Sequence, residues 1–137
     1  MGKRRASSPS YARLMQDAIG RLHWIVIDTV DPARIAPFWC ALLGVRERGW
    51  FGDDYLMLTA DGGAPPVAFQ RVPEAKSVKN RLHVDLAVDD LDDAFAKIVA
   101  LGGSAVSDIL EMSGGYRWRV MGDPEGNEFC IVPRDED

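Results

Sequence analysis

Two stretches of this chain follow one plan, and a chain that repeats itself is constrained to fold as two like units. Leu22-His-Trp-Ile-Val-Ile-Asp28 alternates as a strand, Asp31-Pro32 opens a helix, and Leu43-Gly44 closes it. Arg81 to Val88 alternates again, Asp89-Asp90 opens a second helix, and Leu101-Gly102-Gly103 ends it. From Asp31 to Gly44 is thirteen positions, and from Asp89 to Gly102 is thirteen again. Repetition of strand, helix and glycine stop is the signature of a duplicated supersecondary unit.

The second copy is the more telling. Read with a period of two, Val84, Leu86 and Val88 point one way, and His83, Asp85 and Ala87 point the other. The aliphatic face suits packing on helices. The opposite face carries an imidazole and a carboxylate, which an apolar interior does not tolerate unpaired. The helix that follows has Leu91, Phe95, Ile98, Val99 and Leu101 as its apolar stripe, with acidic residues in the first turn where the helix dipole favours them. In the first copy the stripe is Ile35, Phe38, Trp39, Leu42 and Leu43. Pro37 lies well inside that helix and predicts a kink, or a break before it, because it lacks an N–H and crowds the carbonyl four residues back.

Three strands are expected after each helix. In the first half they are Val45 to Trp50, Tyr55 to Thr59 and Pro66 to Val72, with Asp61-Gly62-Gly63 as a turn. In the second half they are Ser104 to Ile109, Tyr116 to Met121 and Glu128 to Val132, the last two joined by the turn Asp123-Pro-Glu-Gly126. The chain thus divides into a tail and short helix (1–20), one domain (21–133) made of modules 21–73 and 81–133, and a charged tail (134–137). Tyr11 to Ile19 reads as an amphipathic helix ended by Gly20, serving either as a lid over exposed core or as a surface for a partner subunit.

At 137 residues, 47% hydrophobic and 27% charged, the composition is that of an ordinary globular domain. A net charge of −5 argues against a nucleic-acid partner, which needs a basic face. Two cysteines, Cys40 and Cys130, do not make a disulfide framework, so a reduced cytoplasmic compartment is expected. Arg4-Arg5 has no apolar run behind it, so neither a secretory signal nor a membrane span is predicted.

The repeat, with His83 on the fifth strand and Asp123-Pro-Glu-Gly-Asn127 before the last, resembles the vicinal oxygen chelate superfamily, and within it the glyoxalase-like domains. The stretches that carry the likeness include Asp28-Thr-Val-Asp-Pro32, Phe38-Trp39, Leu43-Gly44, Ala68-Phe-Gln-Arg-Val-Pro73, Lys79-Asn-Arg-Leu-His83 and Asp123-Pro-Glu-Gly-Asn-Glu-Phe-Cys130. The resemblance implies an α+β fold in which two βαβββ modules form a half-open, cup-shaped mixed sheet with helices outside. It implies a small-molecule ligand in the cup and a homodimer. Its enzymes hold a divalent metal (Zn, Ni, Mn or Fe) on ligands from the first, fourth, fifth and last strands, as a Lewis acid for adjacent substrate oxygens.

Carried over residue by residue, the fifth-strand ligand falls on His83. The last-strand ligand falls on Cys130, with Glu128 two residues earlier on the same face. The fourth-strand ligand falls near Gln70, and the first-strand ligand on Trp24, with His23 one residue early and on the opposite face. Only His83 and Glu128 are expected to hold a metal, if one is present. The expected cavity set is Trp24, Asp28, Gln70, His83, Asp85, Trp118, Glu128 and Cys130.

Each of these has an ordinary alternative. His83 with Asp85 is either a ligand or base with its tuning carboxylate, or a hydrogen-bonded cavity histidine. Cys130 is either a soft ligand or a small hydrophobe. Arg117 and Arg119 alternate with Tyr116 and Trp118; facing the cup they favour an anionic ligand, facing solvent they are edge charges. Trp24, Trp50, Phe69 and Trp118 either stack a flat ligand or pack the core. The expected function is a binding domain for a small, anionic or aromatic molecule without a complete catalytic metal site. The alternatives are a metal-dependent lyase, isomerase or dioxygenase anchored by His83, and a mainly structural dimerising domain.

Overall fold

The computed structural model describes residues 10–59 and 66–134. After a short helix α1 (Tyr11–Asp17), the first module runs β1 (Ile25–Thr29), α2 (Pro32–Leu43), β2 (Arg46–Phe51), β3 (Tyr55–Thr59) and β4 (Val67–Arg71). The second runs β5 (Asp85–Val88), α3 (Leu91–Ala100), β6 (Ser104–Ala105), β7 (Leu110–Glu111), β8 (Arg117–Gly122) and β9 (Glu128–Pro133). Each module forms its own mixed sheet, in the orders β1-β4-β3-β2 and β5-β9-β8-β6, with β7 on β8. In both, the first strand lies parallel to the last and the helix makes the crossover that a parallel pair requires. The duplicated α+β architecture expected from the sequence is what the chain adopts.

The helices start and stop where their caps dictate. The Asp31 carboxylate accepts from the Arg34 N–H at 3.3 Å, Pro32 occupies the first turn, and Gly44 closes α2 in the left-handed region at φ 67°. Asp90 caps α3 by accepting from the Asp93 N–H at 2.7 Å, and Asp92 and Asp93 sit in its first turn. The break anticipated before Pro37 does not occur. Helix α2 is continuous from Pro32 to Leu43, with Pro37 on its exposed side, where water can take up the carbonyl that the proline cannot bond.

Three other expectations need correction. The strand expected over residues 81–88 begins only at Asp85, so His83 stands in the extended segment that leads into it. The strand expected over residues 104–109 is broken. The Val106 and Ser107 N–H groups both donate to the Val120 carbonyl, a bulge that ends β6, and pairing resumes at β7. Finally, α1 is no lid. Tyr11 is 78% and Leu14 54% exposed, because α2 and α3 already cover the helix-facing sides of the two sheets. The turn expected at Asp61-Gly62-Gly63 lies outside the described residues.

Phe38 and Trp39 of α2 reach across to the second module. The Trp39 ring lies 5.4 Å from that of Phe129, and Phe38 lies 6.2 Å from it. Leu56, Phe69, Met121 and Ile131 complete the same cluster. The two sheets therefore share one core at this end, while among the described residues the extensive contacts between elements lie within a module.

Candidate functional site

The turn 123–127 clasps the modules at the shared-core end. Asp123 is buried, and its Oδ1 accepts from the Glu125 and Asn127 N–H groups, each at 2.9 Å. Its Oδ2 accepts from Trp39 Nε1 at 3.0 Å and Asn127 Nδ2 at 2.9 Å. Glu125 reaches the end of β1, where it accepts from the Val30 N–H at 2.9 Å and from the Thr29 hydroxyl. A turn that reads locally as a reversal of chain direction is thus also a bridge between modules.

Beyond the clasp the modules separate. β1 and β5 are the free edges of their sheets, and both line a cavity of about 660 Å³. Its wall is aliphatic, with Ile27, Leu42 and Leu43 from one module and Leu86, Ile98 and Leu101 from the other; Trp39 supplies an indole. The polar wall groups are Asp28, Asn80, His83, Asp85, Asn127 and Glu128, with Lys97 on α3. Val84, Leu86 and Val88 pack against the core, so His83 and Asp85 take the other face, as alternation requires.

On that face, His83 Nε2 lies 3.3 Å from Asp85 Oδ1, and the Cys130 sulfur sits within 4.8 Å of both. Asp85 and Cys130 are register partners in the β5–β9 ladder, which is why they meet. Burial pushes the Cys130 thiol up, and the neighbouring Asp85 carboxylate adds to the effect. Glu128 is engaged differently. Its carboxylate is buried and accepts from the Asn80 N–H at 2.8 Å, Lys79 Nζ at 3.0 Å and Lys76 Nζ at 3.4 Å. The Asn80 hydrogen bond leads, with both lysines assisting, in holding this carboxyl down at about 2.

A family model described as a glyoxalase-like domain matches residues 24–132. The chain belongs to the glyoxalase-like domain family. Its fold is that of the glyoxalase/bleomycin resistance protein/dioxygenase superfamily, as two solved structures show. A family enzyme from Burkholderia phytofirmans PsJN is matched with a TM-score of 0.66 at 20% identity, over 83% of this chain and 98% of that one. A superfamily member from Sphaerobacter thermophilus is matched with a TM-score of 0.64 at 20% identity, over 85% and 98%. Among curated proteins, the "Putative glyoxylase CFP32" of Mycobacterium tuberculosis is 30% identical over 116 residues, 82% of this chain but 44% of that protein. The chain therefore spans less than half the length of the curated relative it matches.

Within this glyoxalase-like domain, four of the eight residues expected around the cavity are in its wall: Asp28, His83, Asp85 and Glu128. Cys130 stands next to Asp85, behind the wall. Gln70 is the ladder partner of Asp28 on β4, and Trp24 packs edge-on against His23 with ring centroids 5.8 Å apart. Trp118 lies on β8 beside Tyr116, at 6.0 Å. Arg119 takes the helix side, opposite the cup face: its guanidinium lies 3.9 Å above the Phe95 ring of α3, and Nε donates to the Ser107 carbonyl at 3.0 Å. It is neither a cup anion site nor a loose edge charge. Asn80, Asn127 and the aliphatic seam were not singled out from sequence. The only local signal for them was the polar linker before His83 and the turn motif itself.

Proposed function

We propose that this glyoxalase-like domain binds a small, largely apolar molecule in the seam between its modules, with the polar end of that molecule at Asp28, Asn80, His83 and Asp85. The observation that carries the reading is the cavity. At about 660 Å³ it falls within the range of ligand pockets, and it pairs aliphatic walls with a few convergent polar groups, the usual composition of such sites. Its test is chemical-shift mapping on isotope-labelled protein titrated with a small-molecule mixture. Perturbations should concentrate at Ile27, Leu43, Leu86 and Ile98. Shifts confined to the Tyr116–Trp118 region would refute the reading.

A second reading is favoured by one specific observation, the approach of His83, Asp85 and Cys130 to within 4.8 Å. Imidazole, carboxylate and thiolate are a donor set that suits zinc and related ions, and three protein ligands leave a position open for a substrate oxygen. Such an ion would supply Lewis-acid polarisation. The chain itself would have to give up the Cys130 proton, against the upward push of burial. Glu128, tied to Lys76, Lys79 and Asn80, fits this set poorly. Thermal-shift scans with Zn, Ni, Mn and Fe on protein purified without a histidine tag test the idea, with elemental analysis alongside. Stabilisation should vanish in His83→Ala, and an undiminished shift in that variant would place any ion elsewhere.

A further inference from the structure

We propose that the seam cavity selects cationic amphiphiles, molecules that join a protonated amine to an aliphatic body. The proposal rests on the reading of the seam as a ligand site and adds the chemical class of the ligand.

The body is set by the wall. Ile25, Ile27, Leu42, Leu43, Leu86 and Ile98 present methyl and methylene groups, and among the described Phe, Trp and Tyr residues Trp39 alone contributes a ring. A flat aromatic ligand would find little to stack on. A flexible or branched hydrocarbon can follow such a surface, and its transfer from water is favourable in proportion to the apolar area covered.

The head is set by the charges left over in that wall. Lys97 is bonded to Asp93 at 2.8 Å. Glu128 is matched by Lys76 and Lys79. Asp85 is engaged with His83 at 3.3 Å. Asp28 remains. Its carboxylate has no hydrogen-bond or ion-pair partner among the described residues, and its neighbour across the ladder is the neutral Gln70. The basic side chain next along that strand, Arg71, is turned to Asp54 and to the Val30 carbonyl. Arg119, the cation that could have welcomed an anion, lies on Phe95 of α3 and does not line the cavity. Two ammonium groups share the one Glu128 carboxylate, while among the described residues Asp28 has no cation of its own, within a chain of net charge −5. A protonated amine pairs with Asp28, whereas a carboxylate or phosphate head placed there meets repulsion.

Calorimetric titration of chelator-treated protein with decylamine, decanol and decanoate, each below its micellar threshold, tests the class. Decylamine should bind about tenfold more tightly than decanol, and decanoate least, a preference equal to about 1.4 kcal/mol between the first two. Asp28→Asn should bring decylamine down to the level of decanol measured on the same variant. Raising the salt concentration on the unaltered protein should erode the same preference without any substitution. Decanoate binding as tightly as decylamine, or an amine preference indifferent to both Asp28→Asn and salt, overturns the proposal while leaving the seam a ligand site. Failure of all three compounds to bind removes the ligand site and the proposal together.

Discussion

Replacing Glu128 by glutamine removes one charge at a position where the structure gives that charge a definite value. The carboxylate is 7% exposed at its side chain and receives a backbone N–H from Asn80 and two lysine ammonium groups. Together these hold its carboxyl at about 2, against 4.5 for a free glutamate. Each tenfold change in proton affinity is worth about 1.4 kcal/mol, so the fall from 4.5 to about 2 corresponds to roughly 3 kcal/mol of folding stability. Because the folded-state value is depressed, this stability is fully present above pH 4.5. It is lost as the pH falls through 4.5 toward about 2, where the native carboxylate itself takes up a proton. Urea denaturation of the unaltered protein and of Glu128→Gln, repeated between pH 7 and pH 2, isolates the contribution, since other acidic groups titrate alike in both. At pH 7 the variant should be about 3 kcal/mol less stable, a drop in Tm of roughly 10 °C for a domain of this size. The gap should narrow below pH 4.5. A gap below about 0.5 kcal/mol at pH 7, or one that does not change with pH, would refute the account of Glu128 as the anchor of the segment 76–80.

Asp123→Ala should cost about 3–4 kcal/mol, since it strands the buried Trp39 N–H and strips the turn of its internal bonds; a urea midpoint shifted by less than 1 kcal/mol would contradict the clasp. In Gly103→Ala the new methyl would meet Ile98 Cγ2 at 2.6 Å and the Gly122 carbonyl at 3.0 Å, so a loss of about 1–3 kcal/mol is expected in thermal melts, and an unchanged Tm would count against that close approach. Leu14→Ser should leave stability within about 0.5 kcal/mol, because that side chain is 54% exposed; a larger loss would mean that α1 packs against something.

What the sequence by itself determined is local. Helix α2 begins at Pro32 and ends before Gly44 because a capping carboxylate, a proline and a glycine stand at fixed offsets, and α3 is set by Asp90 in the same way. Alternation placed Val84, Leu86 and Val88 against the core and His83 with Asp85 opposite, since side chains of an extended chain must alternate. The repeat and its resemblance to glyoxalase-like domains gave the fold. These signals act over a handful of residues, within reach of a reading made along the chain. Where that reading failed, as at α1 and at the strand after α3, the outcome hung on what other elements had already covered or bonded.

Tertiary structure alone decided the partners. Glu128 meets Asn80 across 48 positions, Trp39 meets Asp123 across 84, and Thr29 meets Glu125 across 96. No periodicity encodes such pairs, because they depend on how the modules and the linker between them come to rest against each other. The same holds for Arg119, which alternation could send to either face and which Phe95 of the covering helix claims. It holds above all for the seam, a space that belongs to neither module and exists only because their free edges β1 and β5 stand apart.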